Sequence, residues 1–125
     1  MGVNAIFSVS RTFEVAPEVL FDVLVAELGV WWGPVEVFEA RPGGRFQVGD
    51  DVGTVKAIEP PQKLMLELGE TVAMLVLLPT PEATALQIIH SRFDSGAHRD
   101  AEAARWEERI ARLVSLVGPP DSAAR

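Results

Sequence analysis

The chain of 125 residues contains no cysteine. Disulfides, thiolate nucleophiles and cysteine-based metal sites are therefore excluded. Histidine is scarce: two residues do not make a His-dominated metal site. Positive charge is also short, with 11 Lys and Arg against 18 Asp and Glu, a net of −7. Nucleic-acid binders need clustered positive charge, so nucleic acid is not an expected partner. Long apolar runs are missing as well. The longest, Val72 to Leu78, is far too short to span a bilayer. Met1 to Arg11 lacks a basic start followed by a long apolar run, the form of a targeting segment. Met1-Gly2 begins as a myristoylation signal begins, but Ile6 stands where Ser or Thr is required. These absences leave an acidic domain, expected to be cytoplasmic, with no membrane partner and no cofactor or metal. What the chain does have is apolar content: 48% of it, enough to line the core of one domain.

The first element reads as a strand. Phe7, Val9, Arg11, Phe13 and Val15 alternate with Ile6, Ser8, Ser10, Thr12 and Glu14, the period of a sheet with one buried face. Arg11 is the exception on the apolar side. A helix follows, opened by Pro17 and Glu18 and ended by Gly29. Val30-Trp31-Trp32-Gly33-Pro34 is then a bulky turn or a second helical stub. From Val35 to Phe93 the chain reads as six antiparallel strands, separated by Pro42-Gly43-Gly44, Gly49-Asp50-Asp51, Pro60-Pro61, Gly69-Glu70 and Pro79-Thr80-Pro81. The apolar spacing slips near Val55 to Ile58, which predicts a bulge. A long helix closes the chain, about Asp100 to Val117. Ala103, Trp106, Ile110, Leu113 and Val117 form its apolar stripe, with Glu102, Arg105, Glu108, Arg109 and Arg112 covering the rest. The predicted architecture is α+β: a curved antiparallel sheet of six to seven strands wrapped around a long C-terminal helix. Residues 1–118 make one domain, and 119–125, opened by Pro119-Pro120, are a loose tail.

Trp31-Trp32-Gly33-Pro34, Arg41-Pro42-Gly43-Gly44-Arg45-Phe46 and the run from Gly53 to Leu64, in that order, carry a resemblance. With Val15 to Phe21 before them, and Thr84 to His90, His98 and Trp106 after them, they resemble the domain related to the activator of the heat-shock protein 90 ATPase. That domain belongs to the START-like, or SRPBCC, superfamily. The resemblance implies a helix-grip fold. Members of that superfamily bind apolar small molecules, act as co-chaperones or, in related branches, cyclise polyketides. This chain departs from the family pattern in a short stretch from Leu24 to Trp31 and in trimmed hairpins at Gly49-Asp50-Asp51 and Gly69-Glu70.

A curved sheet and one helix rarely close completely, and the gap is a natural pocket for a small apolar molecule. Its expected walls are Phe13, Trp31, Trp32, Leu86, Ile88, His90, Trp106 and Ile110, with His90 and Arg11 as orienting polar contacts. His90 shares a strand face with Leu86 and Ile88. There it could bond a ligand or exchange a proton, or simply be satisfied by a backbone carbonyl. Arg11 needs an acceptor, either a ligand carboxylate or an acid such as Glu39 or Glu67, unless it reaches water. One of the paired tryptophans fills the core while the other lines the pocket mouth, or both are structural. Arg41-Pro42-Gly43-Gly44-Arg45 has the glycines of a phosphate loop but no helix start after it, so it reads as a tight hairpin. Asp50-Asp51 reads as solvated charge, and His98 as a surface residue.

Three functions are consistent with these residues. The first is a non-enzymatic binding protein. The second is a cyclase-like enzyme with His90 as proton shuttle and Arg11 steadying an enolate. The third is a co-chaperone-type interaction module. One further feature stands apart. Val72, Met74 and Val76 are apolar on the face opposite Ala73, Leu75 and Leu77, which predicts a homodimer packed through the sheet.

Overall fold

Alternation in the first strand places Phe13 in the core, with Phe7, Val9 and Arg11 on the same side and Ser8, Ser10 and Thr12 exposed. The computed structural model describes residues 5–118, so the proposed tail 119–125 lies outside the described residues. The elements are β1 (Ala5–Phe13), α1 (Pro17–Ala26), α2 (Leu28–Trp31), β2 (Val35–Phe38), β3 (Arg45–Val48), β4 (Asp51–Glu59), β5 (Lys63–Leu68), β6 (Thr71–Pro79), β7 (Thr84–Phe93) and α3 (Gly96–Val117). The strands form one antiparallel sheet in the order β1-β7-β6-β5-β4-β3-β2. The consecutive strands β2 to β7 are hairpin neighbours, and β1 closes the far edge against β7. With α3 gripped by the curved sheet, this is the helix-grip α+β fold.

Register decides which side chains meet inside. Ala73 pairs with His90, Leu75 with Ile88 and Leu77 with Leu86 across β6 and β7, and all six are buried. On β4 the pairing slips between Val55 and Ala57. The bulge absorbs one residue, so Val55 and Ile58 both turn toward the core although they lie three positions apart. The β2–β3 turn carries Gly43 at φ +82°, a left-handed conformation. A side chain at Gly44 would collide with the Glu39 carbonyl, so this segment is the hairpin its composition predicts.

The helices differ from expectation at their ends. Helix α1 stops at Ala26, and the four-residue α2 follows after Glu27. Trp31 Nε1 donates to the Leu24 carbonyl at 2.9 Å, and Arg112 Nε donates to the Trp31 carbonyl at 3.1 Å. These two bonds fasten the stub to α1 and α3. Helix α3 starts at Gly96 rather than near Asp100, because the Ser95 hydroxyl accepts the His98 N–H at 3.0 Å. The apolar stripe of Trp106, Ile110 and Leu113 is buried. Glu102 and Arg109, expected on the solvent side, are buried too, and this is a correction to the amphipathic reading. On the outer face of the sheet Val72, Met74 and Val76 are half-buried, and Leu78 is 47% exposed.

Candidate binding cleft

Four groups form a chain of buried hydrogen bonds. The Trp106 indole N–H can only donate, and it donates to His90 Nδ1 at 2.9 Å. The imidazole proton therefore sits on Nε2, which donates to Thr71 Oγ1 at 2.8 Å. The Thr71 hydroxyl passes its own proton to the Leu68 carbonyl at 2.8 Å. Sheet register makes this possible: Ala73 opposes His90 and Thr71 opposes Leu68, so Thr71 and His90 share the inner face beside the Gly69-Glu70 turn. Burial, reinforced by the positive charge of Arg109, pushes the His90 pKa down to about 4. At neutral pH the ring is uncharged, as the chain of bonds requires.

A second layer lies against the first. Arg109, 2% exposed, is held between two indoles, its Cζ 4.5 Å from the Trp32 ring centre and 4.6 Å from that of Trp106. Its Nη2 donates to Asp51 Oδ2 at 2.8 Å. Trp32 Nε1 donates to the same oxygen at 2.9 Å, and Arg105 Nη2 does so at 3.2 Å. Arg105 Nη1 reaches Glu102 Oε2 at 2.6 Å. Asp51 is thus not solvated charge, which corrects the reading of the Asp50-Asp51 hairpin. It is the acceptor on which one tryptophan and two arginines converge. A buried guanidinium requires such a partner, and cation–π contact alone would not replace its lost water.

These layers form the floor of a cleft of about 500 Å³ at the N-terminal end of α3. His90, Thr71, Asp51 and Glu102 line it from below, with Val52 and Leu68 supplying apolar surface. Its rim carries Asp50, Glu70, Arg92, Asp94 and His98. Arg92 adopts φ +70°, in the left-handed region. It belongs to an irregularity where Phe7 pairs with His90 but Ala5 pairs with Phe93. The extra residue in β7 turns Phe93 inward, against the His90 ring at 4.5 Å and the His98 ring at 5.0 Å. His98 bonds Asp94 at 3.1 Å and is half-exposed.

The expected pocket residues are brought together only in part. His90 lines the cleft. Phe13, Trp31, Trp32, Leu86, Ile88, Trp106 and Ile110 pack into one continuous core. Trp32 meets Trp31, Phe46 and Trp106 edge-on with ring centres 5.1–5.3 Å apart. Arg11 stands apart from the cleft. It bonds Glu107 of α3 at 3.2 Å with its side chain 39% exposed, so it is neither buried nor paired with the acids first considered. Glu39 instead pairs with Arg41 and Arg45, and Glu67 with Lys56. A more apolar groove of about 480 Å³, bounded by Phe21, Val25, Pro42, Ile58 and Pro60, lies beside α1.

Residues 14–118 match the family model described as activator of Hsp90 ATPase homolog 1-like protein. The chain belongs to the AHSA1 family. It is a START-like domain, and AHSA1-like architectures recur among solved structures. CalU16 of Micromonospora echinospora superposes with a TM-score of 0.80 at 18% identity, over 91% of this chain and 76% of that one. PFC0360w of Plasmodium falciparum, described as an HSP90 activator, gives 0.77 at 19% identity over 90% and 96%. MLL2253 of Mesorhizobium loti gives 0.76 at 24% identity over 90% and 96%. At these identities the likeness is one of fold. No curated protein sequence matches the chain. Among the described residues, no helix is long and apolar enough to cross a membrane.

Proposed function

We propose that this AHSA1-family chain is a non-enzymatic binding domain that takes a small molecule in the cleft at the start of α3. The observation that carries the reading is the cleft floor. His90, Thr71, Asp51 and Glu102 are each held by at least one hydrogen bond to a buried or half-buried neighbour. A floor fixed in advance spends little ordering entropy when a ligand arrives. Val52 and Leu68 offer a place for the apolar part of that ligand. A wholly apolar ligand between sheet and helix is less well supported, because Trp106 and Arg109 occupy that position. A cyclase-like reaction is also less well supported. Both His90 nitrogens are bonded, so the ring has no lone pair free to take a substrate proton.

Native mass spectrometry of the freshly purified protein, beside a denaturing spectrum, tests the reading. The expected result is an excess mass that vanishes on denaturation. A bare protein whose cleft amides also fail to respond to any small-molecule probe in NMR would overturn it.

A second reading is an interaction module that works through its surface. It is supported by the filled interior and by the similarity to a P. falciparum protein described as an HSP90 activator. An Hsp90 ATPase assay with and without this chain addresses it, and unchanged turnover removes it. We further propose a homodimer through Val72, Met74 and Val76. Sedimentation showing monomer alone at tens of micromolar rules this out.

A further inference from the structure

On the outer face of the sheet, three neighbouring strands repeat one pattern. β5 presents Lys63, Met65 and Glu67, β6 presents Val76, Met74 and Val72, and β7 presents Gln87, Ile89 and Ser91, all half-buried. Register aligns them in three rows. Lys63, Val76 and Gln87 form the first, Met65, Met74 and Ile89 the middle one, and Glu67, Val72 and Ser91 the last. Ala57 of β4 pairs with Met65, so the middle row is apolar across four strands. An outer face of an antiparallel sheet that meets only water alternates to polar residues, and this one does not. The charges beside the row come in opposite pairs, Lys63 with Glu59 at 3.8 Å and Lys56 with Glu67 at 3.6 Å. These four cancel. Two copies of a chain that carries −7 therefore repel one another least across this face.

The rows also have a symmetry. Half a turn about a line along the middle row exchanges the first row with the last. It sets Lys63 against Glu67 of the partner subunit, Val76 against Val72 of the partner subunit, and the middle row against itself. A two-fold axis along β6 would instead set Lys63 against Gln87 and Glu67 against Ser91, with no charge pair across the contact. Complementary charge selects between two arrangements that bury the same apolar side chains.

We infer that a second copy of the chain docks on this face with its strands antiparallel to the first, about a two-fold axis along Met65, Met74 and Ile89, and that reciprocal Lys63–Glu67 pairs fix the arrangement. The inference rests on the homodimer proposed above and supplies its symmetry. Because the sheet curls around α3, its outer face is convex and contact is confined to the central strands. The buried area is then at the low end for a specific interface, and the dissociation constant is expected on the order of tens of micromolar.

The test is sedimentation equilibrium of charge-swapped chains. Lys63→Glu and Glu67→Lys each place two like-charged pairs across the axis, and each should weaken association about fivefold. Mixed in equal amounts, the two variants should associate as tightly as the native chain, because each substituted position then faces its opposite charge. A defect in folding cannot be repaired by mixing, so this restoration reads the contact itself. A dimer that persists while the mixture associates no better than the single variants would overturn the proposed symmetry and leave the homodimer standing. A native chain that stays monomeric at several hundred micromolar would overturn both. A second measurement needs no variant. In a mixture of isotope-labelled and unlabelled native protein, filtered NMR should show the Met74 methyl in contact with Met74 of the partner subunit. Contacts from Met65 to Ile89 of the partner subunit in its place are the pattern of an axis along β6, and would overturn the inference.

Discussion

The two halves of helix α3 are buried by different means. Toward its C-terminus, Ile110 and Leu113 meet apolar side chains and need nothing but area. Toward its N-terminus, Glu102, Trp106 and Arg109 occupy the same stripe, and every one of them depends on a particular partner. The apolar half tolerates approximate fits. The polar half holds only while its donors and acceptors match, because a buried group that loses its partner keeps the desolvation cost and loses the compensation. The structure has thus placed its least forgiving interactions directly beneath the cleft.

The sharpest way to break this contrast is Asp51→Ala. It leaves the buried guanidinium of Arg109 without its hydrogen-bonded carboxylate, and urea denaturation should show a loss of about 4 kcal/mol, as large as a truncation of a fully buried leucine. A loss below about 1 kcal/mol would mean that the cation–π contacts and the more distant Glu102 suffice.

Acid should separate the halves next. The folded His90 pKa of about 4 lies below the ordinary value of 6.5. The unfolded chain therefore takes up the proton first. The stability that neutral His90 contributes is complete above pH 6.5 and is lost as the pH falls toward 4, by about 3 kcal/mol in all. Stability curves for the native sequence and His90→Asn should converge as the pH drops through that window. Parallel curves would show that another group governs the acid limb.

Thr71→Val, which keeps the shape and removes the hydroxyl, should cost about 1–2 kcal/mol by stranding the His90 Nε2 proton. It should also alter the His90 ring resonances in NMR. Smallest of all, Glu107→Gln should change stability by less than about 0.5 kcal/mol, since Arg11–Glu107 is an exposed pair screened by water. A larger effect would give the surface of α3 a role that its exposure does not suggest.

The fold was legible in the residues because alternation and turn chemistry mark every hairpin, and even the bulge at Val55 to Ile58 left its trace as a slipped apolar spacing. The polar half of the site was harder to read. Glu102, Trp106, Arg109 and Leu113 follow one another at steps of four, three and four, so their spacing already placed two charged residues on the buried stripe. An amphipathic reading sorts by residue type and moves them to the outside. In the same way, Asp51 alternates with Gly53 and Val55, which puts it on the inner face of β4, but its position in a charged turn disguised it. Nothing in the spacing pairs Asp51 with Arg109, 58 positions further on. That contact exists only once the sheet has curled. Arg11 shows the converse. Its strand face was read correctly, yet β1 lies at the sheet edge, where a long side chain on the inner face still finds water and Glu107.

The order of the sheet also sets a timetable. β1 is made first, yet its neighbour β7 leaves the ribosome only after two helices and five more strands. Until then the apolar side of β1 has no place in the sheet, while β2 to β6 can already pair with one another as they emerge. Closure of the grip therefore waits until β7 takes up β1 and α3 arrives to cover both. A nascent chain stalled before Thr84 would carry an open sheet edge and an unpaired strand, the kind of surface that chaperones hold and that other chains pair with.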